Sequence, residues 1–197
     1  MHRPYDRIAH LLAPHYLNRS HQVDLLRFAR YLHTGNSVLD AGCGAGRDVA
    51  DLRALGFRVV GLDHSPKMIS IASRQFGGHF AVGDLLAPPF RGASFHGIWS
   101  MSVLSLLDHR AKGAAIKALA DLLKDNGLLF FAVWHGQGPY VTNEIVEDVP
   151  RTHFLLPPSR WTQLLAKCRL SVINTIIEEV AVERPPAFKV WARKAPG

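Results

Sequence analysis

Cysteine is scarce in this chain, with two residues, Cys43 and Cys168, among 197. That scarcity excludes a disulfide framework and a four-cysteine metal site, and both thiols are expected to be reduced. No apolar run approaches the ~18 residues that a membrane-spanning helix needs, the longest being residues 128–134. Residues 1–34 contain no apolar h-region of the signal-peptide kind, so a cytoplasmic location is the expectation. Internal repeats, low-complexity segments and runs of four or more Lys and Arg are also missing. Eleven histidines are present, but none forms the H-x-x-x-H pair with an acidic neighbour that a helical metal site uses, and no metal is expected.

Hydrophobic residues make up 48% and charged residues 20% of the chain, the balance of a folded, water-soluble domain. The length suits one substantial core, read here as a single domain over 1–197 with a helical lid at 1–34 and a core at 35–197. A formal charge of +7 leaves an anionic partner such as nucleic acid open. The charges are dispersed, however, and a solvated basic surface is the simpler reading.

The most informative stretch is residues 38–48. Residues 37–40 read as a short buried strand, followed by a turn with glycine at 42, 44 and 46 and a helix from about Arg47 to Gly56. Glycines there permit positive φ and bring backbone N–H groups against a ligand without an intervening Cβ. The start of the helix favours a carboxylate or phosphate at the same spot. Dinucleotide binders read G-x-G-x-x-G, but the position of their third glycine holds Arg47 here. The spacing is instead Asp-x-Gly-x-Gly-x-Gly.

Further along, residues 57–63, 79–82, 95–101 and 128–134 have the character of buried strands, and 172–180 and 188–192 complete the set. Helices are expected over 65–75, 111–124 and 160–167, with Ser65 and Ser159 as caps, and two short helices in the prologue split near Pro14. Residues 135–158, which include Glu144, Glu147 and Asp148, read as an irregular functional loop. Alternating strands and helices predict an α/β, doubly wound and mostly parallel sheet. The last two strands lack a helix between them, so one must run antiparallel. Asp40, Asp63 and Asp84 each fall at the carboxyl end of a successive strand, which is where open sheets of this type bind ligands.

The Asp40 to Gly46 pattern resembles motif I of the class I S-adenosylmethionine-dependent methyltransferases, and the likeness extends over 35–194. It implies a seven-stranded sheet of order 3-2-1-4-5-7-6 with strand 7 antiparallel, and S-adenosylmethionine as cofactor with S-adenosylhomocysteine as product. By that resemblance Asp40, Gly42, Cys43 and Gly44 hold the methionine end and Asp63 takes the ribose, with the His64 backbone alongside. Within Gly83-Asp84-Leu85, Asp84 would meet the adenine amino group and Leu85 a ring nitrogen, while Met68 would pack on the adenine face. Ser100 and Met101 would lie near the reactive methyl. Tyr5-Asp6 followed by Ala9 resembles the lid opening of small methyltransferases, which would place Tyr5, His15 and Tyr16 over the site.

His135, just after the fifth strand, is the candidate general base, and Trp134 and Tyr140 are candidates to shape the substrate pocket. Related enzymes carry Asp where this chain has His96, and the Asn/Asp-Pro-Pro-Tyr motif of amino-group nucleic-acid methyltransferases is missing. The expected function is methyl transfer to a small-molecule acceptor. An RNA methyltransferase acting on a tRNA nucleoside, a non-catalytic cofactor-binding regulator and an NAD-dependent enzyme are the alternatives.

Overall fold

A computed structural model describes residues 4–142, 150–179 and 184–197; the side chains of residues 4 and 5 lie outside that description. Two helices come first, α1 (Pro4–Leu17) and α2 (Gln22–Ala29). Strand–helix units follow: β1 (Ser37–Ala41), α3 (Arg47–Ala54), β2 (Arg58–Asp63), α4 (Pro66–Phe76) and β3 (His79–Val82). Next come β4 (Phe95–Met101), a 3-10 turn at Val103–Leu106, α5 (His109–Leu122) and β5 (Leu123–Trp134). The chain then forms β6 (Gly138–Thr142), β7 (Arg151–Leu155), α6 (Pro158–Lys167), β8 (Leu170–Glu178) and β9 (Ala187–Lys194).

The main sheet has seven strands in the order β3-β2-β1-β4-β5-β9-β8. The first five are mutually parallel, and β9 runs antiparallel to both β5 and β8. This is the mixed sheet expected from the sequence, with β8 and β9 as its sixth and seventh strands. β5 shows why it sits at the centre. Leu129, Phe131 and Val133 bury on one face with Ile116 and Leu119 of α5 and Trp161 of α6. Leu128, Phe130 and Ala132 bury on the other with Phe28 of α2 and Val49 and Leu52 of α3. Each Leu, Ile, Val or Phe side chain among them taken from water contributes about 1.5–3 kcal/mol, and a strand apolar on both faces is stable only between two covering layers.

Four local expectations need correction. The prologue breaks at residues 18–21, not at Pro14, which lies within α1. A proline so near a helix end forfeits a single backbone bond, and Ala9, Leu12 and Ala13 hold α1 down by packing with Ala45 and Met68. The segment expected to be irregular after residue 135 contains a hairpin, β6 paired antiparallel with β7; Glu144, Glu147 and Asp148 lie outside the described residues. Helix α5 stops at Leu122, and β5 begins at Leu123, which pairs with Phe95. Pro157, not Ser159, occupies the cap of α6.

Candidate active site

β1 pairs with β2 on one side and β4 on the other, so successive crossovers leave β1 in opposite directions and open a crevice at its carboxyl end. The glycine turn fills the floor of that crevice. Gly42, Gly44 and Gly46 take φ of 86°, 51° and 85°. A Cβ on Gly42 would stand 2.7 Å from Val103, and one on Gly46 2.7 Å from Ala72, so side chains are barred by packing as well as by backbone conformation. A cleft of about 530 Å3 results, walled by the turn, the exits of β2, β4 and β5, α1 and the hairpin.

Asp63 is locked in place by the backbone. One carboxylate oxygen accepts from Gly44 N–H at 2.9 Å and the other from Ser65 N–H at 2.9 Å, which leaves a lone pair on each oxygen for a diol. Burial raises its pKa, and those N–H groups work against the rise. Asp40 is 2% exposed, and its Oδ2 has no hydrogen-bond partner among the described residues. Burial, with Asp48 and Asp63 nearby, pushes the Asp40 carboxyl well above the usual range. An orphaned buried carboxylate at the wall of a cleft is satisfied by a cation. The ammonium and sulfonium groups of S-adenosylmethionine have that charge, so the residues present fit the cofactor.

Arg47, which stands where a dinucleotide fold needs glycine, pairs with buried Asp48. Asp48 also accepts from Trp99 Nε1 at 2.9 Å and lies 3.0 Å from His21 Nδ1. Burial alone would raise Asp48, but His21, Arg47 and Trp99 together hold it below the usual carboxylate range.

The lid and the hairpin close the cleft from above. Tyr16 of α1 lies over the glycine turn, 3.6 Å from where a Gly44 Cβ would be, and its hydroxyl accepts from Arg151 at 3.2 Å. Burial raises the Tyr16 pKa, with Arg151 and Arg19 opposing. Asp6 of α1 accepts from the Ser65 hydroxyl at 2.6 Å and from Lys67 N–H at 3.0 Å, joining lid to helix α4. From the hairpin, the His153 ring lies 4.4 Å from that of Trp134, and Tyr140 meets Trp134 edge-on at 5.5 Å.

Of the residues singled out from the sequence, Asp40, Gly42, Cys43, Gly44, Asp63, His64, Met68, Asp84, Leu85, Tyr16, Met101 and Trp134 line the cleft together. Asp84 also accepts from Leu86 N–H at 2.9 Å, which shapes its own turn. Five others stand elsewhere. Ser100 is fully buried and donates to Ala41 O at 3.0 Å. Gly83 is a packing position, where a Cβ would meet Pro89 at 2.8 Å. His15 is exposed on α1, and Tyr140 contacts the cleft through Trp134. His135 packs its ring edge-on to Phe188 at 6.1 Å, away from the cleft-lining set. One step along a strand reverses the face, so Trp134 and His135 cannot both turn inward. The Tyr5 side chain lies outside the described residues. His96 serves the start of β1, accepting from Ser37 N–H at 3.1 Å.

Sequence reading missed Ser105, Arg151 and His153, all of which line the cleft. The stretch Arg-Thr-His-Phe-Leu at 151–155 carries no polar–apolar alternation, and only the strand's burial shows that His153 and Leu155 turn inward.

The sheet order, the crevice at the β1/β4 switch and the acidic strand ends define a class I, Rossmann-like fold of the S-adenosylmethionine-dependent methyltransferase type. Residues 38–127 match the methyltransferase domain family, and this stretch is a methyltransferase domain of that class. Among solved structures, a SAM-dependent methyltransferase from Methanosarcina mazei is similar with a TM-score of 0.75 and 19% identity, covering 85% of this chain and 96% of that one. The 2-methyl-6-phytyl-1,4-hydroquinone methyltransferase of Synechocystis is 33% identical over 53% of this chain and 34% of its own length. The tRNA (carboxymethyluridine(34)-5-O)-methyltransferase of Arabidopsis thaliana is 31% identical over 85% of this chain and 37% of its own length. The chain thus spans well under two thirds of these curated relatives. Among the described residues, no helix is long and apolar enough to cross a membrane, and no group of three or more metal-ligating side chains gathers.

Proposed function

We propose that this protein transfers the methyl group of S-adenosylmethionine to a small organic acceptor bearing an O–H, N–H or S–H group. The observation that carries this reading is a buried Asp40, unpartnered among the described residues at Oδ2, and an Asp63 fixed by two backbone N–H groups, both lining one cleft around the glycine turn. Asp40, Gly42 and Gly44 would hold the methionine end, Asp63 the ribose, and Asp84, Leu85 and Met68 the adenine. Bound cofactor supplies a methyl group already activated by its sulfonium, so the chain's own task is to align the acceptor and exclude water. The roof formed by Tyr16 and Trp134 over a cleft of about 530 Å3 suits a small acceptor better than a polymer. The two free cysteines suit a cytoplasmic setting.

A tRNA nucleoside is the second reading, favoured by the charge of +7 and by Arg19 and Arg151 at the cleft wall. Calorimetric titration with S-adenosylhomocysteine and, separately, NADH tests the cofactor. Binding of NADH alone would overturn the proposal. A salt-dependent shift of tRNA mobility, with no turnover of phenols, amines or thiols, would favour the RNA reading.

A further inference from the structure

The hairpin carries a histidine that the fold leaves half used. His153 is 5% exposed, and its Nδ1 lies 3.0 Å from the Ser105 hydroxyl. That hydroxyl donates its one proton to the Ser102 carbonyl at 2.8 Å, and a carbonyl can only accept. With the proton on that side, the serine oxygen accepts from Nδ1–H, an assignment that places the lone pair of the ring on Nε2. Nε2 is buried, has no partner among the described residues and belongs to a residue lining the cleft. A buried acceptor of this kind is satisfied by a donor on a ligand.

We propose that His153 Nε2 receives the proton-bearing group of the methyl acceptor, with Ser105 as the positioning residue that sets its tautomer. The inference rests on the methyl-transfer reading above. On transfer, the acceptor heteroatom's lone pair forms the bond to the methyl carbon, the carbon–sulfur electron pair passes to sulfur, and the acceptor proton moves to Nε2 and then to solvent. Nε2 has almost no exposed surface and the Trp134 ring packs 4.4 Å from the imidazole, so the acceptor would reach Nε2 by displacing that ring. Burial first, then Arg151 and Lys112, lowers the His153 pKa to about 4, so the ring is neutral near pH 7 and accepts a hydrogen bond, but it is a weak base that takes the proton only as methylation makes the acceptor more acidic. The groups facing it are Ser105 of the 3-10 turn, Arg151 of its own strand, Trp134 of β5, Tyr140 of β6 and Lys112 of α5. Its pairing partner across the hairpin is Tyr140.

The test is imidazole 15N NMR on the full chain, with phenol and anisole as matched probes in the presence of S-adenosylhomocysteine. In the free protein Nδ1 should be protonated and Nε2 not, and Ser105→Ala should redistribute the proton toward Nε2. Phenol should move the Nε2 signal and anisole should not. His153→Phe should weaken phenol binding roughly ten-fold, the scale of one hydrogen bond, while leaving S-adenosylhomocysteine affinity within about two-fold. A protonated Nε2, or equal responses to the two probes including none, overturns the assignment. Failure of the wild type to bind S-adenosylhomocysteine would sink the methyl-transfer reading instead, and the tautomer measurement, made without ligand, still decides His153. Should His153→Phe not fold, the wild-type spectra and Ser105→Ala decide it.

Discussion

Asp6 and Ser65 meet at 2.6 Å, a carboxylate of the lid accepting from the residue that caps helix α4. Ser65 in turn accepts from Met68 N–H at 3.2 Å, so the lid is tied to the cap of the helix that brings Met68 to the cleft. Asp6→Ala should loosen α1 by about 1–2 kcal/mol, the scale of a lost cap or a charged hydrogen bond. Hydrogen exchange should then speed up in α1 while β4 and β5 keep their protection. Unchanged exchange in α1 would show that apolar packing alone holds the lid.

Asp63→Ala removes the acceptor shared by Gly44 and Ser65. Affinity for S-adenosylhomocysteine should fall by about 1.5–3 kcal/mol, the scale for hydrogen bonds to a charged group. Calorimetry on a variant with wild-type circular dichroism measures this, and an unchanged affinity would remove Asp63 from the ribose.

Asp40 gives a pH signature. Its folded pKa is raised above the unfolded value of about 3.9, so the native state holds more protons than the unfolded state between those two values. Stability is therefore lost as pH rises through that window. Asp40→Asn carries no such penalty, and its unfolding free energy relative to wild type should grow as pH rises above about 4 and then level off. The same variant should bind S-adenosylhomocysteine more weakly, since the proposed role of Asp40 is as counter-charge to the methionine ammonium. A pH-independent difference in stability would contradict the raised pKa.

Gly46→Ala combines a φ of 85° with a contact of 2.7 Å to Ala72. The cost should be about 1–3 kcal/mol in denaturant unfolding, as for other residues held in a sparsely populated conformation. Gly35→Ala is the comparison, because its φ of 82° nearly equals that of Gly46 but no atom lies within 4 Å of the added carbon. Equal losses would mean that backbone strain, not packing, dominates at Gly46.

The fold was legible because its signals are local and repeated. Apolar runs such as 128–134 mark strands buried on both faces, and the helix-free interval between β8 and β9 already implied an antiparallel insertion. Asp40 and Asp63 could be read for the same reason, since strand ends and glycine spacing are written along the chain. The substrate side was harder. The sequence offered His135 alone, because finding that His153 lines the cleft depends on which way a strand faces and on a hairpin whose register pairs Tyr140 with His153. Ser105 gains its meaning only from a partner 48 residues away. Pro14 misled in the opposite direction, because the packing of Ala9 and Leu12 outweighs its local preference.

The insertion of β9 between β5 and β8 has a consequence for how the molecule is made. On a ribosome, both neighbours emerge before the eight-residue strand that must separate them. Until it arrives, two sheet edges stand open, and one of them is the most apolar strand of the molecule. A chain cut between β8 and β9 should therefore behave as a split protein, whose large fragment recovers its native sheet when the missing strand is supplied in trans as a peptide.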